Sequence, residues 1–219
     1  MELIMFYENT LYQLQDKILK IIDNLNTGFY LTGGTALSRF YFNHRYSNDI
    51  DLFVNNDLKF HDYMKDIFKS FATHNINYNV EKRDETFYRL TLENILKADF
   101  VNDVPAYCGT IQIREEGPYS KIDNPINILA NKINAFYDRE EAKDIVDIWI
   151  ITKNIQVDWK KIFTSINSKA VGINVPLVAK KLEEFNIINL DKIKWIKRPS
   201  NDEFKRDIEK VINNILFSE

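Results

Sequence analysis

The stretch LTGGTALSRFYFNHRYSNDIDLFV, residues 31–54, decides the fold. It opens with a short apolar run that stops at Gly33 and Gly34, two of only six glycines in the 219-residue chain. It closes with an alternating run in which Asp49 and Asp51 would point to one face of a strand while the apolar residues between and after them point to the other. Two carboxylates on one face need a counter-charge, so the stretch predicts a strand that carries a cation site.

The composition is that of a compact globular protein. Hydrophobic residues make up 45% of the chain and aromatic residues 13%, enough to bury a substantial core. The single cysteine, Cys108, excludes an internal disulfide and a cysteine-based zinc site, and we expect it to be a buried thiol. Because the sequence shows neither an apolar run of membrane-spanning length nor a secretion signal, we expect no membrane partner and a cytoplasmic location.

The charge is unevenly distributed along the chain. Residues 1–120 carry 12 basic and 17 acidic side chains, whereas residues 121–219 carry 17 basic and 15 acidic ones, giving −3 in total. The acidic half contains the motif. Any polyanionic partner would therefore be held by a local basic patch or through metal ions, and not by the overall field of the protein.

The periodicity of the apolar residues predicts an α+β fold. Helical spacing over residues 8–25 and 58–73 flanks the motif, and residues 76–115 contain three or four strand-like runs separated by Asn, Asp or Gly. From Pro125 onward the pattern is helical. We predict a strand-rich N-terminal α/β domain, residues 1–120, followed by a helical domain, residues 121–219.

The acidic pair predicts a hard divalent cation. Magnesium is bound through one or two carboxylates together with waters and phosphate oxygens, so such a site implies a nucleotide as the other ligand. Beside it, Gly33 and Gly34 would let backbone N–H groups approach a phosphate at the start of the following helix. Arg39 or Arg45 could fork onto that phosphate.

Ser47 is placed to hydrogen-bond near the two carboxylates. Taken singly, a D-x-D pair is more often a solvated strand edge, and two glycines are more often a simple turn. Their conjunction, with the acids set in an apolar strand one short helix after the glycines, favours a functional site over these structural interpretations.

The motif residues resemble those of a known family. Gly33-Gly34-Thr35, followed about a dozen residues later by Asp49-Ile50-Asp51, is similar to the signature of the DNA polymerase β-like nucleotidyltransferase superfamily. The whole stretch looks like the first motif of the AbiEii/AbiGii abortive-infection toxins. Gly34 stands where the superfamily often has serine, a trait that the narrower family shares.

The resemblance extends to about residue 153. Asp99 in LKADF matches a third acidic strand position in kind and order, with Asp103 as the alternative. The segment ILANKINAFYDREEAKDIVDIW, residues 128–149, supplies Lys132, Asp144 and Asp147 in the family's pattern. The resemblance therefore implies a nucleotidyltransferase-fold mixed sheet with helices in residues 1–120, and a helical domain in residues 121–219 that completes the active-site cleft.

The resemblance also implies roles for these residues. Asp49 and Asp51 would hold Mg²⁺ or Mn²⁺ bridging the oxygens of a nucleoside triphosphate (NTP), and Asp99 would complete a second metal position and help deprotonate the acceptor hydroxyl. The remaining residues would serve the triphosphate. Thr35, Arg39 and the glycine amides would clamp the phosphates, Lys132 would add positive charge, Asp144 would orient Lys132 or the nucleotide, and Asp147 would support them.

The implied activity is that of a toxin in a toxin–antitoxin or abortive-infection pair, which moves a nucleotide from an NTP to an acceptor. RNA, with tRNA ends foremost, is the predicted acceptor, and a cognate antitoxin is the predicted protein partner. Two alternatives stay open. The chain could modify a small molecule, as antibiotic nucleotidyltransferases do, or it could be a catalytically silent binding protein of the same fold.

Two further features are assigned structural roles by the sequence. The three histidines, His44, His61 and His74, show no ligand spacing and are predicted to lie at the surface or its boundary. The run KIKWIKRPSNDEFKRD, residues 192–207, mixes cations with an aromatic residue. We interpret it as a solvated helix end in preference to a nucleic-acid contact.

Overall fold

The computed structural model describes residues 2–103, 106–169 and 173–217. The chain divides into two compact units. The first comprises Met1–Ala36, Ser47–Pro105 and Ile111–Asp123, and the second comprises Leu37–Tyr46, Ala106–Thr110 and Asn124–Glu219.

The first unit is built on a mixed sheet. Its strands are β1 (Tyr30–Thr32), β2 (Ile50–Asn55), β3 (Tyr78–Arg83), β4 (Phe87–Leu92), β5 (Leu96–Asp103), β6 (Gln112–Ile113) and β7 (Lys121–Ile122), in the order β3-β4-β5-β2-β1-β7-β6. Strand β2 pairs in parallel with β5 and antiparallel with β1. The predicted mixed sheet is therefore confirmed.

The two central strands alternate between core and surface. In β2, Ile50, Leu52 and Val54 are buried while the residues between them are partly exposed. The alternation in β5 buries Ala98 and Phe100 and leaves the carboxylate of Asp99, between them, partly exposed. Period-two burial of this kind presents one face of each strand for chemistry and packs the other into the core.

Four helical segments belong to the first unit: α1 (Glu2–Phe6), α2 (Tyr12–Asp23), α3 (Gly33–Ala36) and α4 (Phe60–Thr73). A π-helical turn, Tyr7–Leu11, joins the first two. Helix α2 buries Ile18, Ile21 and Ile22, which belong to the apolar stripe that predicted it. The predicted helices at 8–25 and 58–73 are thus present, with the π-helical turn as an addition.

The second unit is helical. It contains a π-helical segment, Leu37–Phe42, then α5 (Pro125–Arg139), α6 (Ala142–Asn154), α7 (Trp159–Lys169), α8 (Val175–Glu183), a 3₁₀ helix (Ile187–Lys192) and α9 (Asn201–Phe217). The start of α5 is fixed by Asn124, whose side chain accepts a hydrogen bond from the N–H of Asn127, and by Pro125 at the first helical position. Its end is marked by Glu140 in the left-handed conformation.

Two observations concern the compositional predictions. Cys108 is only partly buried, so the prediction of a fully buried thiol was wrong. Within the described residues, no helix combines the length and hydrophobicity that crossing a membrane requires. The predicted role of residues 121–219 in completing a cleft stays a prediction.

Candidate active site

The glycine turn and the acidic strand of the first unit meet at Gly33 and Asp51. Gly33 has φ +70°, a left-handed conformation that glycine adopts without a steric penalty. A Cβ atom on this residue would lie 2.3 Å from Oδ2 of Asp51. The carboxylate therefore lies directly against the glycine backbone, at a distance that no side chain at position 33 would permit.

The residues that follow Gly33 fix the backbone leading into β2. The Thr35 hydroxyl is buried, donates to the main-chain oxygen of Asp49, and lies 2.9 Å from the Ser47 hydroxyl. The carbonyl of Ser47 accepts from the side-chain amide of Gln15 at 3.2 Å. Both hydroxyls are buried and bonded internally, so they position the backbone that leads into β2. The phosphate contact of Thr35 and the hydrogen bond of Ser47 near the acidic pair stay predictions.

A carboxylate on the neighbouring strand lies in register with Asp51. Strands β2 and β5 run parallel, and Asp99 is the Cα partner of Asp51, whereas Asp103 is the partner of Asn55. Between the two candidates for the third acid, the register therefore places Asp99 beside Asp51. The exposed Asp49 precedes the first residue of β2.

Arg89 is a site residue that the sequence analysis missed. Its guanidinium forks onto Asp99, with Nε at 2.8 Å from one carboxylate oxygen and Nη2 at 2.6 Å from the other. This hydrogen bonding raises the pKa of Arg89, and Asp49 adds to the effect. The antiparallel register of β4 and β5 pairs Arg89 with Asp99. The alternation in TFYRLTLE placed Arg89 on one face, but the partner across the strand was not readable.

The donor chemistry fits a divalent cation at the paired acids. Carboxylate oxygens are ligands that magnesium and manganese accept, and magnesium usually takes only one or two of them alongside phosphate oxygens. In the described parts of the chain, no group of three or more His, Cys, Asp or Glu side chains is arranged to hold a metal ion. The roles of Asp49, Asp51 and Asp99 as metal ligands stay predictions.

The second unit brings together Lys132, Asp144 and Asp147. The ammonium of Lys132, on α5, lies 2.9 Å from Oδ1 of Asp144 and 2.7 Å from Oδ2 of Asp147, both on α6. Both carboxylates are completely buried and the lysine is nearly so. Burial lowers the pKa of Lys132, but the two carboxylates outweigh it and the net shift is upward. The predicted proximity of Lys132 and Asp144 is present.

Asp147 is shared with two residues from the segment before β2. Arg45 forks onto it, with Nε and Nη2 at 2.8 and 2.7 Å from its two oxygens, and the Nε2 atom of His44 lies 3.0 Å away. Burial alone would raise the pKa of Asp147, but Arg45 and Lys132 hold it well below its usual range. The remaining carboxylate, Asp144, is also held by Arg139 at 2.8 Å, and its pKa is likewise lowered.

His44 does not lie at the surface as predicted. It is 1% exposed, burial is the main cause that lowers its pKa, and its Nδ1 atom is buried without a hydrogen-bond partner. Arg45 is also buried and forms an ion pair with Asp147. Of the two arginines considered for a phosphate contact, Arg39 is the more exposed, on the π-helical segment Leu37–Phe42.

Comparison with solved structures identifies the fold. MenT4, a nucleotidyltransferase toxin from Mycobacterium tuberculosis H37Rv, matches with a TM-score of 0.63 at 13% identity, covering 94% of this chain and 83% of that one. JHP933 from Helicobacter pylori matches at 0.55 and 16%, covering 95% and 92%. The antibiotic-resistance factor ANT(2'')-Ia matches at 0.54 and 14%, covering 74% and 91%. No curated protein matches the chain. These likenesses define a nucleotidyltransferase fold.

The family follows from the sequence model. The model of the nucleotidyl transferase AbiEii toxin family, of type IV toxin–antitoxin systems, matches residues 17–215. The chain therefore belongs to the AbiEii family, and the resemblance inferred from the first motif is confirmed. The matched range includes both the acidic strands of the first unit and the buried network of the second.

Proposed function

We propose that this protein is a metal-dependent nucleotidyltransferase toxin that moves a nucleotide from an NTP to an RNA acceptor, tRNA foremost. The observation that carries the proposal is the contact between Gly33 and Asp51, in register with Asp99. Membership of the AbiEii toxin family supports the transferase activity and implies both an NTP substrate and an antitoxin partner. The cytoplasm, where NTPs and RNA occur together, is the proposed location.

The carboxylates supply the chemistry of metal binding. Asp49 and Asp51 would hold a magnesium or manganese ion, and the bound ion would neutralise charge on the triphosphate. The main-chain N–H groups at Gly33 and Gly34 start a helical turn beside Asp51, where they can donate to a phosphate oxygen. Asp99 stands next to Asp51 as the proposed acceptor of the proton from the attacking hydroxyl.

We propose that Arg89 fixes the orientation of the Asp99 carboxylate before the substrate binds. A carboxylate forked by a guanidinium is held in one orientation by two charge-assisted hydrogen bonds. The pair is partly exposed, with 42% of the arginine and 18% of the aspartate side chain accessible. A phosphate or a cation can therefore compete for either partner, and we propose that Arg89 keeps Asp99 oriented toward the strand face that Asp51 occupies.

For Lys132 we propose a structural role in place of the triphosphate contact that the family pattern implies. Its ammonium is neutralised by two buried carboxylates, so its net charge is not available at full strength to a triphosphate. We propose that Lys132, Arg45, Asp144 and Asp147 together form the internal support of the second unit. Arg39 remains the proposed arginine for the phosphates.

The test combines each radiolabelled NTP with the purified protein, magnesium and total cellular RNA, followed by gel separation. We expect label on an RNA band from the wild-type protein, and none from Asp51→Ala, which also loses growth inhibition while keeping its circular dichroism spectrum. Asp66→Ala, at an exposed position on α4, is the matched control and should transfer normally. Full toxicity in the Asp51 variant would refute the assignment.

The same reaction decides between acceptors. Addition of small hydroxylated molecules, aminoglycosides among them, tests the alternative of a small-molecule transferase, because label would then migrate with the small molecule and not with RNA. A silent binding protein would label neither while still binding the NTP. The likeness to ANT(2'')-Ia concerns the fold and does not favour one acceptor.

A further inference from the structure

A pocket in the second unit combines aromatic walls with cations. Its cavity volume of about 390 Å³ falls in the range of small-molecule sites. The residues that line it and matter here come from three segments: the π-helical segment, helix α6 and the stretch before α9. They are Tyr41, Phe42, Trp149, Lys153, Lys197 and Arg198.

The cations on the pocket wall differ in how strongly they are held. Lys197 is exposed and makes no side-chain hydrogen bond or ion pair with the described residues. Arg198 pairs with Asp191 at 2.6 Å, but both side chains are well exposed, and exposed pairs contribute little and exchange readily. These consecutive residues belong to the basic run 192–207 and put two positive charges at one wall.

The acidic residue on the wall does not cancel these charges. Glu203 lines the pocket but is ion-paired with Lys153, which also lies 4.9 Å from the centre of the Trp149 ring. Lys197 therefore supplies a positive charge that pairs with no described acidic residue, and Arg198 supplies one that can exchange its exposed partner Asp191 for another anion.

Two neighbouring aromatic side chains provide an apolar surface on the wall of the pocket. Tyr41 and Phe42 are both partly exposed, with ring centres 6.0 Å apart. His44 forms part of the same wall and is edge-on to Phe42, and its buried Nδ1 lacks a partner. Because that nitrogen is closed to solvent, recognition rests on the rings and the cations. Rings beside positive charges are the combination that binds a nucleobase and its phosphate.

We propose that this pocket holds one nucleotide of a single-stranded RNA acceptor, with the base against Tyr41 and Phe42 and the phosphates at Lys197 and Arg198. This inference rests on the proposed function, since it names the site that retains the acceptor. Two consecutive cations at the pocket mouth suit a continuous backbone better than a single free phosphate. This proposal differs from the interpretation of the basic run as a solvated helix end, which no observation has tested.

The test measures RNA affinity without chemistry. Binding of a fluorescein-labelled single-stranded RNA of twelve nucleotides is followed by anisotropy in EDTA, for the wild type and for the double variant Lys197→Glu, Arg198→Glu. We expect at least tenfold weaker binding. The slope of log affinity against log salt should also fall by about 1.4 in magnitude, which is the loss of two phosphate contacts on a single strand.

A matched control makes the same change in charge at a different part of the surface. Lys160→Glu, Lys161→Glu reverses two consecutive exposed lysines on α7, away from the lining of this pocket, and should bind RNA within about twofold of the wild type. Photo-crosslinking of 4-thiouridine RNA should label the peptide that contains Tyr41 and Phe42. Thermal melting of each variant confirms that it is folded.

The outcomes separate this inference from the proposed function. If the wild type labels RNA but the Lys197, Arg198 variant binds RNA as tightly as the wild type, the pocket is not an RNA site and the proposed function stands. If RNA binds and crosslinks here but no NTP labels it, the site stands and the proposed function fails. If free AMP displaced the RNA at an equal concentration, the pocket would bind single nucleotides, and its assignment to single-stranded RNA would be wrong.

Discussion

Replacing Lys132 by methionine tests whether the buried network of the second unit is structural. Lys132→Met keeps the length of the side chain and removes the ammonium that two buried carboxylates share, at 2.9 and 2.7 Å. Removal of one partner from a buried ion pair destabilises a protein by about 3–5 kcal/mol. Asp144 keeps Arg139 and Asp147 keeps Arg45, so we expect the lower end, about 3 kcal/mol.

The pH dependence of this loss has a definite sign. The lowered pKa values of Asp144 and Asp147 mean that their stabilisation is present above the ordinary value of 3.8 and disappears as the pH falls through their folded values. The raised pKa of Lys132 means that its contribution is present below 10.5 and is lost as the pH rises through its folded value. The difference between wild type and variant should therefore be constant near neutral pH and shrink below pH 3.8.

Tryptophan fluorescence during urea unfolding is the assay, because all three tryptophans, at positions 149, 159 and 195, belong to the second unit. Lys161→Met, an exposed lysine of the same unit, is the control and should change stability by less than about 0.5 kcal/mol. A Lys132→Met variant that keeps its stability at pH 7 but loses NTP affinity would refute the structural role. That result would instead support a contact between Lys132 and the triphosphate.

Three other predictions concern single side chains. Gly33→Ala should abolish transfer, because its Cβ would displace the Asp51 carboxylate, and should cost about 1–2 kcal/mol of stability through the positive φ. Arg89→Met should bind Mn²⁺ about fivefold more tightly in calorimetry, because a positive charge worth about 1 kcal/mol leaves Asp99. The pKa of His44 is lowered, so the unfolded state binds the proton first as the pH falls below 6.5. Stability should decline there by up to about 1.4 kcal/mol per pH unit, and His44→Gln should remove that slope in urea unfolding.

Each of these variants has a matched control. Gly117→Ala introduces the same kind of backbone strain, at φ +111°, in an exposed loop and should keep activity. Arg83→Met removes a cation from the edge strand β3 and should leave Mn²⁺ affinity unchanged. His74→Gln changes an exposed histidine and should keep the slope with pH. Equal effects in a variant and its control would contradict the corresponding reasoning.

The elements that the sequence predicted are those with local patterns. The alternation from Ile50 to Asn55 and the apolar stripe of α2 each place a face in the core by period alone, and both are present. The spacing of the glycines and acids indicated one site. The contact at Gly33 could not be predicted in detail, because it depends on a backbone angle and on the path of residues 37–49.

The remaining site residues depend on partners that are distant in the chain. His44 and Arg45 meet Asp147, about a hundred positions later, and no local signal marks a histidine as the buried partner of such a carboxylate. Arg89 was missed for the same reason, since its pairing with Asp99 requires the register of β4 and β5. The periodicity of a sequence predicts on which face of a strand or helix a residue lies. The residue that it pairs with depends on which distant segments of the chain come together.

The charged residues of the first unit and those of the second differ in their access to solvent, and we expect their functions to differ for that reason. The Arg89–Asp99 pair is partly exposed, and an exposed ion pair contributes little free energy, so an incoming cation or phosphate can replace either partner. Asp144 and Asp147 are fully buried, and opening their pairs with Lys132 or Arg45 would leave a charge in a medium that solvates it poorly. Exchange of ligands is therefore expected at the acidic strands of the first unit, while the network of the second unit holds one arrangement throughout the reaction.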